Sequence, residues 1–248
     1  MKKSILFIIK TALPVFLIAQ IDSVNTTNNQ LKIDQLNEGQ ATYLVYLQDS
    51  ISGPKYGIEV WDRMIKKIDD SYSFKWNRYA ASGSRYSYEI AASANEFSPI
   101  EERVNERIVK AGDVNIRKKH FIYSGDKIFT NSDTTMHTME PFELAALDNS
   151  FNWEMDLETL SMLPINQGKS YAINFYHPGS KTEPAYYLFE VIRSETLSFN
   201  DVAFECWVLK VEYSPNQSSE FWVDKKTHRV MKMKEFFYGR YRYKVLAI

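Results

Sequence analysis

The chain has 248 residues, 30 basic and 31 acidic side chains, and a formal net charge of −1. That balance gives no electrostatic reason to bind nucleic acid and disfavours wholesale adhesion to an anionic membrane surface. A single cysteine, Cys206, excludes an intramolecular disulfide.

Lys2 and Lys3 form a basic head, and an apolar stretch follows from Ile5 to Ala19, broken mainly by Lys10 and Thr11. This is the layout of a secretory signal peptide over residues 1–19, with cleavage at Ala19-Gln20. Leu17 is larger than the small residue usual three positions before the cut. The apolar run is shorter than the roughly 20 residues of a spanning helix, so the mature chain is expected to carry no transmembrane span. No cysteine stands at the cleavage point, so the bacterial lipoprotein route is not expected. Loss of Lys2, Lys3 and Lys10 leaves 27 basic against 31 acidic side chains, a net charge of −4 over 229 residues. That length suits one large all-β domain of roughly 200–250 residues, or two smaller ones.

Residues 20–38, rich in Asn, Thr, Gln and Asp, read as a flexible leader. A single antiparallel β domain is expected over 39–248. Ala41–Leu47 and Gly57–Ile65 read as strands around the Gly53-Pro54 turn. In 71–78 polar and aromatic residues alternate, so Tyr72, Phe74 and Trp76 share one face of a strand. Tyr86, Tyr88, Ile90, Ala92 and Ala94 repeat the alternation. Pro99–Lys110 carries Ile100, Val104 and Ile108 at a spacing that suits a helix or one face of a strand; the strand-like neighbours favour strand. Asn115–Tyr123 and Lys127–Thr130 follow.

A helical insertion is expected near 141–163. Pro141–Leu147 has helix formers behind a proline, which a first turn tolerates. Trp153, Leu157 and Leu160 give a second short helix an apolar stripe that Pro164 ends. Its acids, Glu154, Asp156 and Glu158, read as a solvated face near a helix N-terminus. Antiparallel strands then run through Ser170–Tyr176, Ala185–Arg193, Val202–Tyr213, Glu220–Asp224 and Val230–Phe237. In the last strand Tyr241, Tyr243, Val245 and Ala247 face one way and Arg240, Arg242 and Lys244 the other, one face to the core and one to water. The fold class is therefore all-β and mainly antiparallel: a curved, incomplete barrel of about twelve strands with a short helical lid.

No catalytic signature is found. His120, His137, His177 and His228 stand apart, so no pair has zinc-ligand spacing. There is no Gly-x-Ser-x-Gly elbow and no glycine-rich phosphate loop. Cys206, within Ala203–Leu209, reads as a small buried hydrophobe. Neither a cofactor nor a metal is expected. Phe74, Trp76, Tyr88 and Trp207 are the candidate wall of an apolar ligand cavity, with ordinary core as the competing reading.

The hairpin Phe221-Trp222-Val223-Asp224-Lys225-Lys226-Thr227-His228-Arg229-Val230-Met231-Lys232-Met233 and the segment Leu163-Pro164-Ile165-Asn166-Gln167-Gly168 carry a resemblance. In this layout the chain resembles exported proteins related to the LolA and LolB lipoprotein carriers, and especially their uncharacterised relatives. The resemblance implies a half-open barrel with helices over an apolar cavity, in the periplasm of a two-membrane bacterium. In the carriers the cargo is an acyl chain. The LolB-type anchor cysteine is missing, and no carrier arginine motif matches, so no functional residue is carried over. The expected function is a non-enzymatic envelope binder of a lipid or other apolar ligand. The alternatives are an envelope scaffold that binds another protein, and a hydrolase with a convergent set of titratable groups.

Overall fold

The structure, a computed structural model, describes residues 21–145, 149–199 and 201–247. The signal segment expected over residues 1–19 lies outside them. Two antiparallel meanders make one sheet. The first comprises β2 (Gly39–Gln48), β3 (Tyr56–Ile68), β4 (Ser71–Ala80), β5 (Arg85–Ser93), β6 (Pro99–Lys110), β7 (Asp113–Ser124), β8 (Lys127–Thr130) and β9 (Glu143–Ala145). The second comprises β11 (Ser170–Tyr176), β12 (Ala185–Phe199), β13 (Val202–Ser214), β14 (Gln217–Asp224), β15 (Val230–Phe237) and β16 (Arg240–Leu246). They join where β16 pairs with β2, from Tyr241 opposite Gln48 to Leu246 opposite Tyr43. Two short strands, β1 (Ile21–Val24) and β10 (Phe151–Asn152), pair in parallel with β11 and make the sheet mixed.

The sheet curls without closing. Side chains bridge the seam between its two ends. Tyr176 of β11 stacks on Phe142 with ring centroids 6.4 Å apart, and Phe142 meets Phe121 of β7 edge-on at 6.1 Å. Asn152 Nδ2 reaches across to Glu102 of β6 at 2.7 Å.

Period-two alternation sends one side of every long strand inward. The interior is crossed by a chain of rings, Phe74, Phe97, Phe151, Phe175, Phe189 and Phe221, with successive centroids 5.6–6.3 Å apart. All six are essentially inaccessible to solvent. Each such ring stabilises the fold by about 1.5–3 kcal/mol through burial, with edge-to-face geometry adding to it.

Several expectations change. Among the described residues there are sixteen strands, against the about twelve expected. Pro99–Lys110 is a strand, as its neighbours suggested. Of the expected helix over 141–147, Glu143–Ala145 is instead strand β9, paired to β8, because the sheet edge supplies hydrogen-bond partners that a lone turn lacks; residues 146 and 147 lie outside the described set. The second helix forms as a 3-10 turn (Trp153–Met155) running into α1 (Asp156–Ser161). All six residues of α1 are buried, so it fills the barrel rather than covering it. Residues 21–38, read as leader, are tied into the fold. Val24 is fully buried in β1, Leu31 and Leu36 pack on the core, and Lys32 N donates to Met162 O at 2.7 Å.

Candidate functional site

Along the inward faces the residue type changes from apolar to charged. In β4 the inward series runs Tyr72, Phe74, Trp76, Arg78; in β3 it runs Ile65, Arg63, Trp61; in β15 it runs Met231, Met233, Glu235. The charged ends converge on a cleft of about 600 Å³. Its wall combines Trp61, Arg63 and Arg78 with Trp153, Glu154 and Asp156, and with His177, Tyr187 and Tyr213; Gln217, Ser219, Met233, Glu235, Arg242 and Lys244 complete it. The volume falls within the range of small-molecule sites, roughly 300–1,000 Å³.

The helical segment carries three acids into the barrel, and each meets a cation from the sheet. Glu158 takes Arg63 Nη2 at 2.6 Å. Glu154 pairs with Arg78. Asp156 faces Lys244 Nζ at 3.7 Å. These acids were expected on a solvated face; they are buried because the sheet supplies their counter-charges. Of the basic side of β16, expected to face water, Arg242 and Lys244 face the cleft for the same reason, Lys244 being only 7% exposed, while Arg240 remains 58% exposed beside Asp49. Asn152 organises the entry to this segment: its Oδ1 accepts from Glu154 N at 2.8 Å while its Nδ2 donates to Glu102.

Aromatic faces hold the cations in place. The Arg63 guanidinium lies on the Trp76 ring. That of Arg78 sits 4.0 Å from the Trp61 centroid and 4.5 Å from that of Tyr88. Lys244 Nζ also lies over the Trp61 ring, 4.7 Å from its centroid. Such contacts contribute up to about 2 kcal/mol when desolvated. Opposite them Trp153, Tyr187 and Tyr213 pack against one another, with centroids 4.7–5.7 Å apart.

Burial and these partners compete over protonation. Burial raises the Glu154 carboxyl, but Arg78, His177, Lys244 and Arg63 together hold it below its usual range. Burial pushes Glu158 up to about 7 against the pull of Arg63, and Glu102 up to about 8, with the Glu154 charge adding to the effect. The same desolvation lowers Lys244 to about 8. Among the described residues no group of three or more His, Cys, Asp or Glu side chains converges as a metal site.

The four residues expected to wall an apolar cavity are placed as follows. Phe74 and Trp76 pack in the core, and Trp76 carries Arg63 on its face. Tyr88 is buried beside Arg78. Trp207 is partly buried on the outer face beneath Lys225, whose Nζ is 4.1 Å from its ring centroid. None of the four lines the cleft. The signal that could have found the cleft is a charge in phase with a buried strand face, as at Arg63, Arg78 and Glu235. Cys206 is inaccessible, a small core side chain as expected, and burial pushes its thiol up to about 12.

A family model described as a protein of unknown function, DUF3108, matches residues 35–245. No curated protein matches the chain. Among solved structures, the crystal structure of a beta-barrel-like protein of domain of unknown function DUF1849 from Brucella abortus is similar. It aligns over 85% of this chain and 97% of that chain, at 9% identity and a TM-score of 0.55. At that identity the likeness is one of fold alone. Neither the matching family nor this similar structure is a LolA or LolB carrier.

Proposed function

From the premise that the chain belongs to the DUF3108 family, we propose that it is an exported, non-catalytic binding protein whose cleft takes an amphipathic envelope ligand. The observation that carries this reading is the cleft itself, about 600 Å³, with Trp153, Tyr187 and Tyr213 in one wall and paired ionic groups around Trp61 in the other. The rings and Met233 take an apolar portion, each buried CH₂ contributing about 0.8 kcal/mol. The ionic wall takes a polar portion, which a bare hydrocarbon would leave unmatched. The carrier-like layout and the basic-then-apolar start of the chain support a place in the periplasm.

A scaffold role is the second reading. It is favoured by Tyr186, Leu188 and Ile192, exposed on the outer face of β12. Glu190 opposite Lys210 interrupts that strip, so the cleft carries more weight.

The test is native mass spectrometry of the protein purified from its own envelope fraction, followed by solvent extraction. Bound mass released as an amphiphile supports the reading, and its loss in Trp153→Ala assigns it to the cleft. A bare polypeptide mass shifts the conclusion to the scaffold. An N-terminus at Gln20 supports export with cleavage; one at Met1 overturns it.

A further inference from the structure

Among the described residues, the cations in and beside the cleft are each paired. Arg63 is matched by Glu158, Arg78 by Glu154, Lys244 by Asp156, Arg242 by Glu235 at 2.5 Å, and, on neighbouring β6 and β7, Lys119 by Glu106 at 2.7 Å. Each cation has its own carboxylate. Glu102, the carboxyl left over, accepts from Asn152 in full burial, where the neutral acid is favoured. Two further groups stand at the rim: Glu59, whose carboxylate accepts from Trp61 Nε1 at 2.6 Å, and His177, which is 58% exposed.

A charged headgroup entering this cleft would leave water and then compete with an existing partner for every counter-charge it met, and breaking a buried pair strands the other ion. An uncharged polar group meets neither cost. The hydrogen-bonding capacity left over is also mixed. Guanidinium groups have spare N–H donors, carboxylates have spare lone pairs, and Gln217, whose Nε2 donates to Glu235 Oε1 at 3.3 Å, keeps a second N–H and its carbonyl oxygen beside the Ser219 hydroxyl that Tyr213 shares. Phosphate and carboxylate ligands only accept and ammonium only donates, whereas a hydroxyl does both.

We infer that the polar part of the ligand is uncharged and polyhydroxylated, a saccharide headgroup seated against the Arg242–Glu235 pair, Gln217 and Ser219. This deepens the binding-protein reading and rests on it. The apolar portion lies along Trp153, Tyr187 and Tyr213.

Isothermal titration calorimetry of the purified protein with three twelve-carbon amphiphiles below their micellar concentrations tests this: dodecyl maltoside, dodecyl phosphate and dodecyltrimethylammonium. Dodecyl maltoside is expected to bind at least ten-fold tighter than either charged compound. Its Kd is expected to stay the same within two-fold between 20 and 500 mM NaCl, because no ion pair is formed that salt could screen. Gln217→Trp, which fills the cleft at its rim, is expected to weaken that binding ten-fold or more. Equal affinity for all three, tighter binding of a charged compound, or undiminished binding by Gln217→Trp would overturn the saccharide inference and leave the binding reading standing. No heat with any of the three at both 15 and 35 °C would remove both, since the heat-capacity change of apolar burial prevents a silent enthalpy at two temperatures.

Discussion

Arg78 and Glu154 stand 76 positions apart in the chain and meet inside the barrel as an ion pair, with the guanidinium held between the rings of Trp61 and Tyr88. The contact fastens the helical segment to β4. Removing one partner leaves a charge stranded in low dielectric. Arg78→Met is therefore expected to cost about 3–5 kcal/mol, and the double variant Arg78→Met/Glu154→Gln markedly less than the sum of its parts. Urea unfolding of the four proteins of this cycle measures the coupling; strict additivity would show that the pair is not a unit.

Stability is expected to fall as pH rises from about 4.5 to about 8. Glu102 titrates at about 8 in the fold against 4.5 for an ordinary glutamate. Between those values the folded protein holds a proton that the unfolded chain has released, so unfolding becomes easier by up to about 1.4 kcal/mol per pH unit. Glu158, raised to about 7, acts with the same sign over a narrower window. Glu102→Gln keeps an acceptor for Asn152 and removes the titration. It is expected to flatten the slope and to be stabilising at pH 8 and near neutral at pH 4.5. Unfolding free energies at the two pH values decide this, and an unchanged slope would refute it.

The seam is held by rings in close contact with a turn. Gly179 adopts φ +81°, and a Cβ there would come within 2.9 Å of the Phe121 ring. Gly125 has φ +61° with nothing within 4 Å of such an atom. Gly179→Ala should therefore lose more stability than Gly125→Ala. The difference is expected to be about 1–2 kcal/mol, from displacement of Phe121 and its neighbours Phe142 and Tyr176. Thermal unfolding of both variants checks it; equal losses would mean the contact with Phe121 carries no energy.

Cys206 is expected to be silent toward thiol reagents in the native protein. It is inaccessible, and desolvation, reinforced by Asp224 and Glu205, keeps the thiol protonated to about pH 12. Labelling with an aromatic disulfide at pH 8 should proceed only as fast as the protein unfolds, and reach one equivalent in urea. Rapid native labelling would contradict the burial.

Local pattern made most of the strands readable. The alternation through Tyr72, Phe74 and Trp76 and through Tyr86–Ala94 needs only the period of a pleated strand, and β4 and β5 lie where it puts them. The hairpin at Asp224 was equally local: its carboxylate accepts from Thr227 N at 2.8 Å and Oγ1 at 2.6 Å within the turn. Strand β9 was not readable, because Glu143–Ala145 has helix-forming residues and becomes extended only by pairing with Lys127–Phe129. The parallel strand β1 depends likewise on β11, nearly 150 positions away.

The sequence by itself determined an all-β chain with its turns, a short helical break before Pro164, and a core rich in phenylalanine and tyrosine. Period-two alternation and turn chemistry act over a few residues and survive without tertiary context. Only the tertiary structure decided which way the charges point. Arg63, Arg78, Glu235 and Lys244 lie in phase with buried faces, and Glu154, Asp156 and Glu158 on a short helix, so each set taken alone looks solvated or misplaced. Burying either alone is prohibitive, and burying both together is not, because each ion desolvates against its counter-ion. That pairing joins residues of β3, β4 and β16 to a segment 76 to 95 positions from them in the chain, and no local pattern encodes it.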